Sequence, residues 1–489
     1  MKEAAPNMLW CQKKVEFDRS NHSQHDAMPL IQVNLPYHPD SARLFEKIHQ
    51  LPGAVFLDSC AQHNEHGRYD ILASLPYLQL EGFSHYTLIS TQGNTLKTPQ
   101  PPFDVLKSTF IQESEKFNNE ALAALPFSGG AIGQFSYELD HARLLKNASA
   151  TNNALMHVGF YDVFIIVDHQ EKTSVIYSIN KNAEPKLQQI RTLIKQSKCD
   201  ESFKLHSPFK NNITAKRYNK DFLSIQEFIL SGDCYQINYT QRFETRYSGN
   251  PWLAYKKLRE QSPAPFSAYI NSNKNTILSH SPEQFLQLKK NHITSKPIKG
   301  TRARKADIKA DKLEKDALLN SQKDQAENLM IVDLIRNDIS RSAQVGSVKV
   351  PQLFALESFT NVHHLVSTVT AELAENRHAV DLFQHSFPGG SITGAPKIRA
   401  MEIINELEEV SRDIYCGSIA YFSFNGNMDS SITIRTLLCE RDHENSGNIY
   451  CWGGGGIVAD SKVEEEYQES IDKVSNLLQT LEQQFIKTK

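Results

Sequence analysis

Two spacings of apolar residues run through this chain. Ala54-Val55-Phe56-Leu57 is a continuous apolar run closed by Asp58-Ser59, and it predicts a buried strand. Val163-Phe164-Ile165-Ile166-Val167 and Ser174-Val175-Ile176-Tyr177 flank the turn-like His169-Gln170-Glu171-Lys172, which predicts an antiparallel hairpin. From Cys234 to Thr245 the chain alternates, with Gln236, Asn238, Thr240 and Arg242 on one face and Tyr235, Ile237, Tyr239 and Phe243 on the other. A polar strand face of that kind meets either solvent or a wet cavity. Further strands are expected at 266–271, 276–279, 284–288, 418–424, 431–438 and 448–452. Helical spacing appears at Tyr218, Phe222, Ile225 and Ile229, between an N-cap at Thr214 and a stop at Gly232. One long helical tract is expected from about 305 to 338, and a last helix from about 463 to 487.

Composition narrows the class. Residues 1–28 are polar and aperiodic and read as a mobile extension. The Ser-, Lys-, Asp- and Asn-rich segment 198–212 is the expected internal junction, giving an N-terminal region 29–205 and a catalytic region 206–489. A formal net charge of −3 over 489 residues gives no broad drive toward nucleic acid or an anionic membrane, so any anion must be held locally. No secretory h-region and no membrane-length apolar run is present, and a cytoplasmic protein is expected. The seven cysteines include no Cys-x-x-Cys pair, which fits neither a disulfide framework nor a zinc site.

Several stretches are chemically unusual. Lys296-Pro297-Ile298-Lys299-Gly300-Thr301-Arg302-Ala303-Arg304 holds four cations in nine residues and is interrupted by Pro, Gly and Thr. Like charges repel on a helix face, so a short strand ending in a turn fits better, with Lys299 and Ile298 on opposite sides; a plain basic surface loop is the alternative. Glu327 has Met330, Ile331 and Leu334 as its helical neighbours, a costly place for a carboxylate unless it pairs with a cation or binds a metal. Glu466 and Glu469 share one side of the last helix, either as a solvated acidic turn or, if that helix meets Glu327, as part of a hard-cation site suited to Mg²⁺. In Phe387-Pro388-Gly389-Gly390-Ser391-Ile392-Thr393-Gly394-Ala395-Pro396-Lys397, Pro396 suits the first helical position and the preceding amides face an anion. Gly-Lys-Ser/Thr is missing, so a carboxylate is as good a guest as a phosphate. Arg435 is a cation in an apolar strand, suited to gripping a carboxylate or to a structural ion pair, and His364 sits in an apolar run. Gly454 to Ala459 matches G-x-G-x-x-A, but no following strand supplies a ribose-binding acid, so a dinucleotide site is rejected.

Together these residues resemble the component I family that acts on chorismate, whose members form anthranilate, aminodeoxychorismate, isochorismate or salicylate. The similarity runs from about residue 50 to the C-terminus. It is densest in 326–338, in Gly-Gly-Ser-Ile-Thr-Gly-Ala-Pro-Lys, in 428–435 and in 454–469. The resemblance implies an α+β fold, a large two-sheet antiparallel β-sandwich with flanking helices, built jointly by both halves. Pro-Ile-Lys-Gly-Thr resembles the branch that aminates chorismate at C4, whereas the anthranilate-forming branch carries Ala where Lys299 stands. It implies Lys299 as a covalent nucleophile at C2, Glu283 as general acid for the departing hydroxyl, and Glu327, Glu466 and Glu469 as Mg²⁺ ligands. Thr393, Gly394 and Arg435 fall where the family binds substrate carboxylates, and His364 near the ring substituents. Thr301, Tyr415, Gly454 and Gly455 are further expected substrate contacts. Gln236 stands where the water-adding members place a lysine, which argues against water as the nucleophile. The cationic neighbourhood that Lys299 needs is expected from Lys296, Arg302, Arg304 and a bound Mg²⁺. Leu57-Asp58-Ser59 resembles a tryptophan-binding segment, with Ser59 as the candidate contact, although Asp58 and Cys60 depart from the usual residues. No glutaminase region is fused, so a separate glutamine amidotransferase subunit is the expected partner and ammonia source. The implied product is 4-amino-4-deoxychorismate, a folate precursor; the alternatives are anthranilate formation and a catalytically inert regulatory scaffold.

Overall fold

Thr214 accepts a hydrogen bond from the Arg217 amide and so starts the helix Ala215–Leu230, whose Tyr218, Phe222 and Ile225 are buried. The hairpin also forms: Val163–Asp168 pairs antiparallel with Thr173–Ser178. The computed structural model describes residues 30–60, 67–117, 120–145, 153–196, 201–358, 362–443 and 445–486, and the N-terminal extension expected at 1–28 lies outside them.

Among the described residues the strands form two antiparallel sheets, of 13 and 12 strands. In the first, Val55–Asp58 pairs with Phe266–Asn271, so strands from the two halves of the chain share one hydrogen-bonded layer. In the second, Gly130–Phe135 pairs with Ser418–Ser423 in the same way. The inner faces of both sheets join one apolar cluster that includes Ile71, Leu80, Ile132, Phe160, Ile277 and Ile419. A second cluster lies against helices Pro251–Gln261 and Val463–Phe485, where Trp252, Tyr255, Val474 and Leu478 are buried. Among the described residues no helix is long and apolar enough to cross a membrane.

Three expected elements differ. The tract 305–338 is two helices, Ile308–Leu319 and Gln322–Ser340, because the Ser321 side chain caps the second by accepting from the Asp324 amide. The strand expected at 431–438 is two, Met428–Ile432 in the second sheet and Thr436–His443 in the first, so Thr433-Ile434-Arg435 forms a corner between sheets. The strand expected at 448–452 extends through all four glycines, as Ser446–Ile457. The paired strand Gln236–Gly249 and the helix Val463–Phe485 leave almost no room for side chains there: a Cβ on Gly454 would lie 2.6 Å from the Tyr239 carbonyl oxygen, and one on Gly453 2.1 Å from that of Ser470 on the helix.

Candidate active site

Lys299 lies on the edge strand Ile298–Ala303, which pairs with Val362–Glu372. The pairing slips between Ile298 and Thr301 where Gly300 takes φ +82°, a left-handed conformation suited to glycine, and the bulge re-aims the side chains around it. A Cβ on Gly300 would also lie 2.8 Å from Leu318. The helix Gln322–Ser340 packs on this strand and brings Glu327 Oε2 to 3.9 Å from Lys299 Nζ. Burial lowers the Lys299 pKa; Glu327 opposes the shift and the positive charge of Lys473 adds to it. Glu327 is raised, again chiefly by burial, with Lys299 opposing. Both partners thus move toward neutrality, because loss of solvent outweighs their mutual attraction.

The two acidic helices do meet. Glu469 of the helix Val463–Phe485 acts electrostatically on both Lys299 and Glu327. Glu466 is buried, accepts from the Ser461 hydroxyl at 2.7 Å, and is raised by burial and by Glu469. Each acid has an ammonium beside it: Lys323 at 3.9 Å from Glu466, Lys473 at 2.7 Å from Glu469, and Lys299 beside Glu327. Glu283 is buried on the strand-flanking segment after Ser281 and accepts from the Ser391 hydroxyl at 2.9 Å. Burial raises its pKa, with that hydrogen bond and the charges of Lys299 and Lys473 opposing. Lys299, Glu283, Glu327, Glu466 and Glu469 therefore form one electrostatic cluster. The sequence reading missed Lys473, which donates to the Gly454 carbonyl at 3.0 Å, as well as Lys323 and Ser391. In sequence Lys473 looks like an ordinary i,i+4 surface partner of Glu469.

The cations expected around Lys299 are engaged elsewhere. Lys296 is 3.8 Å from Glu357, Arg302 is 3.3 Å from Asp324 and Arg304 is 3.1 Å from Asp311, so acidic neighbours neutralise them and Lys473 is the cation acting on Lys299.

The remaining site residues sort by what they touch. Arg435, at the inter-sheet corner with φ +50°, is open to solvent and has no acidic partner among the described residues; burial of its surroundings lowers its pKa. His364 pairs with the Thr301 hydroxyl at 2.9 Å and is lowered to about 4 by burial and by the charges of Arg435 and His363, which keeps it neutral. Gln236 is fully buried, both polar atoms of its amide lack protein partners, and a Cβ on Gly456 would meet its Nε2 at 2.5 Å. Gly455 faces the acids, its would-be Cβ 3.2 Å from Glu466 and 3.6 Å from Glu469. Tyr415 is buried and stacks on Trp452 at 6.1 Å. The Thr393 hydroxyl closes on the Gly389 and Gly390 carbonyls at 3.1 and 3.3 Å, so this side chain fixes the glycine segment instead of facing a ligand. Gly394-Ala395 pair with Gln236-Ile237 as a short strand, and Pro396 is the cap of the helix Lys397–Leu407, one position before the expected one, because that pairing holds the chain extended up to it. Ser59 lies elsewhere: its amide and hydroxyl donate to Asp70, and it lines a cavity of about 1000 Å³ with Asp58, Pro265 and Phe266.

The acids offer the hard oxygen donors a divalent ion takes, and burial raises the pKa of Glu327 and Glu466 despite the ammonium beside each. Among the described residues no three His, Cys, Asp or Glu side chains converge to enclose a metal. The set fits Mg²⁺, which keeps several waters and borrows substrate oxygens.

A model of the chorismate binding enzyme family matches residues 65–479. The chain is 44% identical to aminodeoxychorismate synthase component 1 of Salmonella typhimurium, over 92% of this chain and 98% of that one. It is 32% identical to anthranilate synthase component 1 of Acetivibrio thermocellus, over 90% and 92%. The crystal structure of anthranilate synthase component I from Streptococcus pneumoniae superposes with a TM-score of 0.72 at 29% identity, covering 84% of this chain and 92% of that one.

Proposed function

This chain belongs to the chorismate binding enzyme family, and from that premise we propose that it is the large subunit of an aminodeoxychorismate synthase, converting chorismate and ammonia to 4-amino-4-deoxychorismate. The observation that carries this reading is Lys299 itself: an amine with a lowered pKa, 3.9 Å from Glu327, within the electrostatic reach of Glu283 and beside a backbone bulge. A lysine is a poor nucleophile while protonated, and burial beside a second cation favours its neutral form.

The Lys299 amine attacks C2 of chorismate, both ring double bonds shift, and the C4 hydroxyl leaves as water with a proton from Glu283. Ammonia then bonds to C4, both double bonds shift back, the C2–N bond to Lys299 breaks, restoring the free lysine, and the surplus proton of the added ammonia returns to Glu283. Ser391 orients Glu283 through its hydrogen bond. Arg435 and the backbone at Gly394 would hold substrate carboxylates, and neutral His364 would face the ring. Glu327, Glu466 and Glu469 would hold Mg²⁺, whose charge offsets that of a ring carboxylate. Ammonia comes from a separate glutamine amidotransferase subunit, a reading that the component numbering of the relatives fits.

Purified protein given Mg²⁺, chorismate and an ammonium salt is expected to release 4-amino-4-deoxychorismate, read by liquid chromatography and mass spectrometry. Fluorescent anthranilate as the main product would overturn this assignment, and failure to consume chorismate at high ammonium would favour an inert scaffold. Because a lysine cannot make the paired contacts of a guanidinium, Arg435→Lys is expected to raise KM for chorismate by at least about tenfold with a smaller change in kcat, measured by steady-state kinetics.

A further inference from the structure

A cavity of about 320 Å³ lies between the sheets, apart from the catalytic cleft. Its polar wall comes from Gln134, Arg242, Asn275, Asp413, Glu440 and Tyr450. Along the strand Gln236–Gly249 the two sites are separated by the Arg412–Glu408 ion pair: Arg412 donates to the Asn238 carbonyl and Glu408 accepts from Thr240. Gln236 lies on one side of that pair and Arg242 on the other.

The wall has too many acceptors. Gln134 is 3% exposed and its Oε1 has no partner, and the Asn275 Oδ1 is likewise buried without one. Asp413 is raised by burial and by the charge of Glu440, while Arg242 opposes. Behind it Glu138 keeps a buried, unpartnered Oε2 and is pushed up to about 8 by burial and by Asp413. The one cation in the wall, Arg242, is already paired with Glu244 at 2.7 Å and sits 4.5 Å over the Tyr450 ring. Its Nε is a buried donor without a hydrogen-bond partner. Buried acceptors without donors are costly, and so are carboxylates without counter-charge. A guest that relieves both brings a positive charge, several N–H donors and one oxygen able to accept from Arg242.

We propose that this cavity binds a small organic ammonium ion bearing a hydroxyl group, its three N–H donors and its O–H shared among Gln134, Asn275, Asp413 and Glu440 and its oxygen accepting from Arg242. The site is independent of chorismate chemistry. It abuts the substrate wall, since Asp413 is two residues before Tyr415 and the Tyr450 ring is 6.0 Å from Trp452, on which Tyr415 stacks.

The test is isothermal titration of the full chain with ethanolammonium chloride, against choline chloride, which has the same charge and hydroxyl but no N–H donor, at matched ionic strength. Heat of binding is expected with ethanolammonium and not with choline. Affinity should fall at least tenfold in Glu440→Gln, and also in Ser411→Trp, which plugs the cavity from an exposed position and leaves the acids intact. It should persist in Glu466→Gln, whose acid lies in the catalytic cleft. No heat with the wild-type chain, equal heat with choline, unchanged affinity in both cavity variants, or loss in Glu466→Gln each overturns the proposal.

Discussion

Lys299→Ala is expected to lower formation of 4-amino-4-deoxychorismate by at least about a thousandfold and to leave C2-aminated material as the minor product. Without the lysine no covalent bond forms at C2, so ammonia has no displaceable group to expel when it attacks C4, and C2 becomes the open electrophile. The substitution removes the amine beside Glu327, whose remaining neighbours include Lys323. The fold should tolerate it, because Lys299 belongs to an edge strand and neither apolar cluster includes it. Product ratios by mass spectrometry decide the matter, and an unchanged ratio would refute the nucleophile. In the wild-type chain a rapid quench should trap a chorismate-derived adduct on Lys299.

Glu283→Gln is expected to cost about 10² to 10⁴ in kcat, the usual range for a positioned general acid. The amide keeps an acceptor for the Ser391 hydroxyl but has no proton to give. A distinct signature lies in the pH profile. Burial raises the Glu283 pKa, so its acid form persists to higher pH than that of an exposed glutamate, and activity that needs this proton falls as pH rises through the raised value. In Glu283→Gln that alkaline limb should vanish from the kcat profile while residual activity remains.

Local signals carried much of this structure in the sequence. Thr214 announced its helix because capping is a short-range hydrogen bond, and the hairpin at 163–178 because alternation and turn chemistry agree over a few residues. Glu327 stood out as a charge in a place that ordinary packing does not favour, whereas Lys299 and Glu283 drew their roles from the family resemblance. What stayed hidden was relational. The corner at Thr433 to Arg435 reads as continuous strand because both flanks are apolar, and only the sheet each flank joins reveals the turn. Lys473 and the acidic partners of Lys296, Arg302 and Arg304 lie on separate elements, so no spacing rule could decide which cation faces Lys299.

The sharing of both sheets between distant parts of the chain bears on how the enzyme is made. Gly130–Phe135 waits for Ser418–Ser423, Val55–Asp58 for Phe266–Asn271, and the floor of the site closes only when Ser446–Ile457 reaches Gln236–Gly249. Such distant pairings pay their loop-closure entropy before any contact rewards them. Strand edges of the growing polypeptide therefore stay open until residues 446–457 have been made, and an open edge is a template for pairing with another chain.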